Sequence, residues 1–278
     1  MRRVLIVGEK SYIGNSFEMF TRGKYEISKV NSRNEAWRKI SFKEYDTILH
    51  CVGIAHVSYD PRMKNLYYEV NCNLAAEVAK KAKSEGVKQF IYLSSILIYG
   101  NNQTAIEHKT KPSPDNFYGE SKLKAEYELQ KLSDNDFLVC IIRVPMVYGR
   151  GSKGNFKKLV DLAKIVPFFP DYPNKRSMIY IDNLCVFFCD IIDSNMHGIF
   201  LPQNNEYTNT TGLICYIAEC YNRRIYTTKL FNPLMFFLMK YVSVFRKLFG
   251  NLYYIQNNKK NSMLDLYTSI KKSLDVTQ

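Results

Sequence analysis

The chain has 278 residues, 46% of them hydrophobic and 14% aromatic, enough for one large α/β domain and a smaller appended one; a repeat array or a mini-protein is excluded. Lysine and arginine number 39 against 26 acidic residues, and the formal net charge of +13 favours anionic partners such as nucleotide phosphates or acidic lipid headgroups. The basic residues lack the aromatic interleaving of a nucleic-acid module, so no nucleic-acid partner is expected.

In chain order, Met1-Arg2-Arg3 leads into four apolar residues and then Gly8, too short a run for a signal-peptide core, and a cytoplasmic location is expected. The run from Arg3 to Val7 followed by helical periodicity through Phe20 predicts strand, turn and helix. Further strands are predicted at Tyr25 to Val30, Thr47 to Cys51, Gln89 to Leu93 and Phe137 to Arg143. Helices are predicted over about Tyr67 to Gly86 and Ser121 to Leu132. This alternation implies an α/β fold with a Rossmann-type, doubly wound parallel sheet. After Gly149 the pattern changes: Gly151 to Gly154 is a loop, and Pro167, Pro170 and Pro173 cluster before Arg176. Ile179 to Ile192 reads as a strand-helix unit returning to the sheet, with a further short strand at Gly198 to Leu201. The expected division is a dinucleotide-binding domain over 1–150 and about 176–202, and a smaller, mostly helical domain over 151–175 and 203–278.

Three segments carry chemistry. Gly8-Glu9-Lys10-Ser11-Tyr12-Ile13-Gly14 lies where a dinucleotide pyrophosphate meets a helix N-terminus, with Ser11 small enough for the backbone to approach phosphate; an ordinary glycine turn would read the same way. Tyr118 and Lys122, four apart at the start of a helix, stand one above the other, and an ammonium beside the phenol would lower its pKa and let it exchange a proton with a substrate oxygen. Ser94 and Ser95 end a strand on the side where open α/β sheets bind ligands. After the second strand the chain reads Asn31-Ser32-Arg33, with no acid for a ribose 2′-hydroxyl and an arginine for a 2′-phosphate, so NADP(H) is favoured over NAD(H). His50, within an apolar strand, reads as a satisfied core residue, and His56 sits at the ligand-facing end, where it could touch the substrate. The seven cysteines are scattered without metal-ligand spacing, read as free thiols, and no metal is expected.

Together with Arg143-Val144-Pro145-Met146-Val147-Tyr148-Gly149, these segments resemble the extended short-chain dehydrogenases of the NAD-dependent epimerase/dehydratase family, over residues 1 to about 200. The resemblance implies a nicotinamide-dependent oxidoreductase acting on a nucleotide sugar. In it Ser95 hydrogen-bonds the reacting oxygen, Tyr118 transfers its proton, and Lys122 also holds the nicotinamide ribose. Further cofactor contacts fall to Gly8, Ser11, Tyr12, Ile13, Gly14, Arg33, Val52, Gly53, Asn71 and Pro145. The blocks 154–159, 165–170 and 174–184, with 243–252, are similar to bacterial capsule and O-antigen enzymes that reduce UDP-4-keto-6-deoxy-N-acetylhexosamines. That likeness makes the second domain the UDP-sugar domain, sets Arg176 on the UDP diphosphate and places Asn155 nearby; with His56 and Ser95 they form the expected substrate set.

Dehydration is disfavoured, because Ile96 and Leu97 follow Ser95 where such enzymes need an acidic pair. Reduction with an exchanged cofactor is favoured over C4 epimerisation with a retained NAD, and a non-catalytic dinucleotide sensor ranks below both. The stretch from Leu230 to Lys240, followed by Arg246 and Lys247, suits either weak association with a membrane surface or packing within the second domain or against the other subunit of a homodimer.

Overall fold

Val4 to Val7 are fully buried, and a run without polar alternation belongs in a parallel sheet covered on both faces. A computed structural model describes residues 1–33, 35–54, 60–101, 103–256 and 265–274. The chain begins with β1 (Arg3–Val7), α1 (Tyr12–Phe20), β2 (Glu26–Val30), α2 (Ala36–Lys39), β3 (Thr47–His50), α3 (Lys64–Tyr68) and α4 (Leu74–Ser84). It continues through β4 (Gln89–Ser95), β5 (Ala105–Ile106), α5 (Phe117–Gln130), β6 (Leu138–Val144), β7 (Met146–Tyr148), α6 (Asn155–Ala163) and β8 (Phe168–Pro170). Then come β9 (Met178–Tyr180), α7 (Ile181–Asp193), β10 (Gly198–Phe200), α8 (Thr210–Cys220) and β11 (Tyr226–Thr228). The last elements are α9 (Asn232–Tyr241), α10 (Ser243–Phe249), β12 (Tyr253–Tyr254) and α11 (Leu266–Ser273).

Two compact units divide the chain: residues 1–100, 112–144 and 184–202 form the first, and 101–111, 145–183 and 203–278 the second. Six parallel strands build the first unit's sheet in the order β10-β6-β4-β3-β1-β2. The order reverses between β1 and β3, so the crevice at their carboxyl ends is where an open α/β sheet accepts a ligand. All seven residues of β4 are buried. Val78 and Ala82 of α4 and Ala125 and Leu129 of α5 share a core with Leu5, Ile48, Phe90 and Ile141 of the strands. Each large apolar side chain buried there contributes about 1.5–3 kcal/mol.

The second unit holds three two-stranded parallel ribbons, β7 with β9, β8 with β11 and β5 with β12, among helices. A buried polar cluster sits within it: the Tyr148 hydroxyl meets Ser269 Oγ at 2.5 Å and accepts from Asn204 Nδ2 at 2.8 Å. Two readings of the sequence change here. The strand at Met178 does not return to the main sheet, because its register partners are Met146 to Tyr148; only β10 joins it, at the edge, opposite Cys140 to Ile142. For the same reason residues 145–150 and 176–183 group with the second unit rather than the first, and 101–111 join them through the pairing of Ala105 with Tyr253.

Candidate active site

Gly8 ends β1 with φ +119°, a backbone that L side chains rarely adopt, and a Cβ there would stand 3.3 Å from the Cys51 carbonyl carbon. Gly14 lets α1 close on β1, since its Cβ would meet Ile6 Cγ2 at 2.8 Å. Ser11 is the N-cap of α1 and accepts from the Gly14 amide at 3.3 Å, with Tyr12 and Ile13 opening the helix. The middle position of the motif thus carries a cap. The half-buried Cys51 thiol lies beside it, and burial pushes that thiol up to about 12, with the Ser11 side chain acting the other way.

Beside this turn lies a cleft of about 530 Å³, lined by Gly8, Ser11, Val52 and Gly53, by the apolar side chains of Ile54, Val70 and Leu74, and by Glu9, Lys10 and Arg33. Arg33 is exposed, and its amide donates to Asn31 Oδ1 at 2.9 Å, closing the turn after β2. Lys10 and the apolar trio went unnoticed in the sequence. Lys10 sits inside the Gly8–Gly14 motif, so its position was the available signal; the trio comes from two separate segments with no shared pattern.

Ser95 is the last residue of β4 and accepts from the Leu97 amide at 3.2 Å. Its side chain lies near that of Tyr118, close enough to offset part of what burial does to the phenol. The helix carrying Tyr118 starts earlier than the predicted Ser121: Asn116 caps it by accepting from the Gly119 amide at 3.0 Å, so α5 opens at Phe117. Gly119 allows the approach, because a Cβ there would lie 2.6 Å from the Leu97 carbonyl oxygen and 2.9 Å from Pro114 Cβ. Nothing in a one-dimensional pattern singles out that glycine.

Lys122 is 3% exposed, donates to the Leu93 carbonyl at 2.9 Å and lies 4.6 Å over the Tyr92 ring. Burial lowers its pKa to about 8, opposed by Cys51 and Glu126. Tyr118 departs from expectation. Burial holds its phenol above the usual tyrosine value, with the nearby Ser95 side chain acting the other way, and Lys122 is not among the groups that set the shift.

Asn71 lies in a π-helical turn, Glu69–Asn73, between α3 and α4. Such a turn frees backbone groups from the helical ladder, and the Asn71 carbonyl accepts from the Tyr92 hydroxyl at 2.8 Å. Its side chain accepts from the Ile54 amide at 2.8 Å and donates to Ser121 Oγ at 3.0 Å, tying the segment after β3 to α5. A Cβ on Gly53 would reach Lys122 Nζ at 3.0 Å and Asn71 Oδ1 at 3.1 Å. Asn71 is therefore a positioning residue for both.

One turn beyond Lys122, Glu126 is fully buried and receives Arg143 Nη2 at 2.6 Å and the Ser94 hydroxyl at 2.5 Å, while Arg143 Nη1 donates to the Tyr99 hydroxyl at 2.6 Å. This network joins β4, β6, α5 and the turn after β4. His50 is in the core as expected but is not satisfied: neither ring nitrogen has a hydrogen-bond partner among the described residues. The ring stacks 5.8 Å from Phe90 and 6.0 Å from Tyr92, and burial together with the Lys122 charge lowers it to about 3.

Pro145 is buried and directly follows Val144, the register partner of Ser95. His56 lies outside the described residues. In the second unit Asn155 is exposed at the start of α6, after Gly154 at φ +91°. Arg176 donates from Nη1 to the carbonyls of Lys247, 2.8 Å away, and Gly250, 3.0 Å away, at the end of α10. Burial lowers it to about 10, and no carboxylate pairs with it among the described residues. No group of three residues able to hold a metal ion occurs among the described residues.

A sheet of this order, a glycine turn opening on a cleft at the switch point, and a serine and a tyrosine near a buried lysine at the carboxyl end of β4 define an α/β protein of the Rossmann type. The chain belongs to the NAD dependent epimerase/dehydratase family, which its residues 2–198 match. It is 32% identical over 205 residues to UDP-glucose 4-epimerase of Vibrio cholerae, covering 70% of this chain and 62% of that relative's length. Its fold is similar to that of dTDP-4-dehydrorhamnose reductase of Bacillus anthracis in complex with NADP, with a TM-score of 0.74 and 18% identity over 98% of this chain and 99% of that one. It is equally similar, at 0.74 and 14% identity over 98% and 97%, to UDP-glucuronic acid 4-epimerase of Bacillus cereus in complex with NAD.

Proposed function

We propose that the protein reduces the 4-keto group of a UDP-4-keto-6-deoxy-N-acetylhexosamine with NADPH, as a step in building a bacterial capsule or O-antigen polysaccharide. The observation that carries the reading is the placement of Ser95 at the end of β4 and Tyr118 in the first turn of α5, with buried Lys122 one turn on; the phenol is protonated at neutral pH, and burial raises its pKa further. A protonated phenol suits donation to a carbonyl oxygen as that oxygen gains negative charge. Ser95 donates a hydrogen bond to the same oxygen, and the Lys122 ammonium lends positive charge beneath the site. The cleft fits a dinucleotide: Gly8 leaves the space a Cβ would fill, α1 presents its N-terminus, and Ile54, Val70 and Leu74 form an apolar wall suited to a base. Gly8, Ser11 and Lys10 would hold the pyrophosphate, Arg33 a 2′-phosphate and Lys122 the nicotinamide ribose. When bound, the reduced nicotinamide supplies hydride to the sugar carbon. Arg176, half-buried and without a carboxylate partner among the described residues, is assigned to the substrate diphosphate.

A second reading, C4 epimerisation of a UDP-sugar with a retained NAD, is supported by the 32% identity to a UDP-glucose 4-epimerase. Arg33 and Lys10 at the cleft rim, with no acid directly after β2, favour the exchanged NADPH of a reductase. The test is incubation with UDP-4-keto-6-deoxy-N-acetylglucosamine and either NADPH or NADH, following nicotinamide absorbance. Consumption of NADPH in step with substrate is expected. A tightly held NAD and interconversion of C4 epimers without added cofactor would establish the epimerase instead.

A further inference from the structure

We infer that the β11–α9–α10 region of the second unit docks on the surface of an anionic lipid bilayer. Leu230, Leu234, Phe237 and Tyr241 follow one another at helical spacing, and all four are exposed, between 52% and 79%. A helix of a globular domain ordinarily turns such a stripe inward; here α9 buries Met235 and turns the stripe out. Eight of the nineteen exposed large hydrophobic side chains among the described residues fall between 230 and 244, Phe236 the most exposed within the helix at 71%. The Phe237 and Tyr241 rings lie 4.8 Å apart, forming an aromatic ridge.

The occupant follows from charge. Between Glu219 and Asp265 the sequence holds eight basic residues and no acidic one. Lys229 and Lys240 flank the stripe at its two ends and are exposed, Lys229 standing 3.9 Å from Asp171. Exposed apolar side chains flanked by cations match the boundary between acidic headgroups and acyl chains. No helix among the described residues is long and apolar enough to cross a membrane, so the contact is with the surface. A second copy of the chain fits less well, since a two-fold contact would set this basic patch against itself.

The test is co-sedimentation of the full chain with vesicles of phosphatidylcholine alone, or of phosphatidylcholine with about a third phosphatidylglycerol. The chain is expected to pellet with the anionic vesicles and to be released by high salt. The double variant Phe236→Glu, Phe237→Glu is expected to lower the bound fraction about tenfold or more, with its melting temperature and NADPH affinity unchanged. Failure of the parent to pellet, or equal binding by the variant, overturns the proposal. So does self-association of the parent, seen by sedimentation velocity, that the same substitutions abolish; the face would then belong to a dimer.

Discussion

Lys122 and Glu126 sit one turn apart on the same helix and are almost equally buried, yet their surroundings differ in kind. Around Glu126 the polar groups close on one another: the carboxylate takes Arg143 and Ser94, and Arg143 also donates from Nη1 to Tyr99. Around Lys122 they do not close. The ammonium has one carbonyl and no carboxylate in hydrogen-bond contact among the described residues, the Tyr118 and Ser95 side chains lie near each other, and the cleft-lining residue Gly53 lies against the lysine. A closed buried network fixes structure, whereas a buried cation left with donors in hand is held ready for something that arrives. The first cluster orients β4, β6 and α5, and the second uses that orientation.

Substitutions can separate the two clusters, and the largest effect is expected at the open one. Tyr118→Phe removes only the proton-donating oxygen, so turnover should fall about 10²–10⁴-fold while NADPH affinity and melting temperature stay near the parent's; activity within threefold would remove the tyrosine from the mechanism. Glu126→Leu leaves Arg143 buried without its carboxylate and should cost about 3–5 kcal/mol by denaturant unfolding. A loss of turnover with stability intact would instead place Glu126 in the chemistry. Lys122 supplies a pH test. Its folded pKa of about 8 lies below the ordinary lysine value of 10.5, so between these values the unfolded chain binds more protons, and stability of the cofactor-free protein should rise with pH across that window, by at most about 3 kcal/mol. Unfolding curves at the two ends of the window, compared with those of Lys122→Met, should show the rise only in the parent. Arg33→Ala is expected to weaken NADPH about ten- to a hundredfold and to leave NADH nearly untouched, measured by fluorescence titration. Equal weakening of both would show that Arg33 does not read the 2′-phosphate.

What could be read in advance divides along similar lines. The sheet, the glycine turn and the Tyr118–Lys122 spacing are local patterns, and the structure places Gly8, Ser11 and Gly14 at the turn and Ser95 against Tyr118. Features made by distant segments were not legible. Asn71 was noticed, but its π-helical turn answers to the Tyr92 hydroxyl, 21 positions away. Gly119 matters because Leu97 and Pro114 crowd it, and His50 lacks partners because of what happens to surround it. The expected lowering of the tyrosine pKa by Lys122 failed for the same reason: spacing along a helix shows that two side chains share a face, not which carbonyl captures the ammonium. In the second unit, strands of two or three residues carry too little periodicity to be seen, and their pairing moved the expected domain boundaries.

The reaction itself is tested most directly by following a label. With NADPH deuterated at its transferable position and UDP-4-keto-6-deoxy-N-acetylglucosamine as substrate, NMR of the product should show one deuterium at C4 of a UDP-6-deoxy-N-acetylhexosamine for each NADPH oxidised. Product lacking deuterium, or C4 epimers of a UDP-sugar equilibrating with no NADPH consumed, would contradict the account.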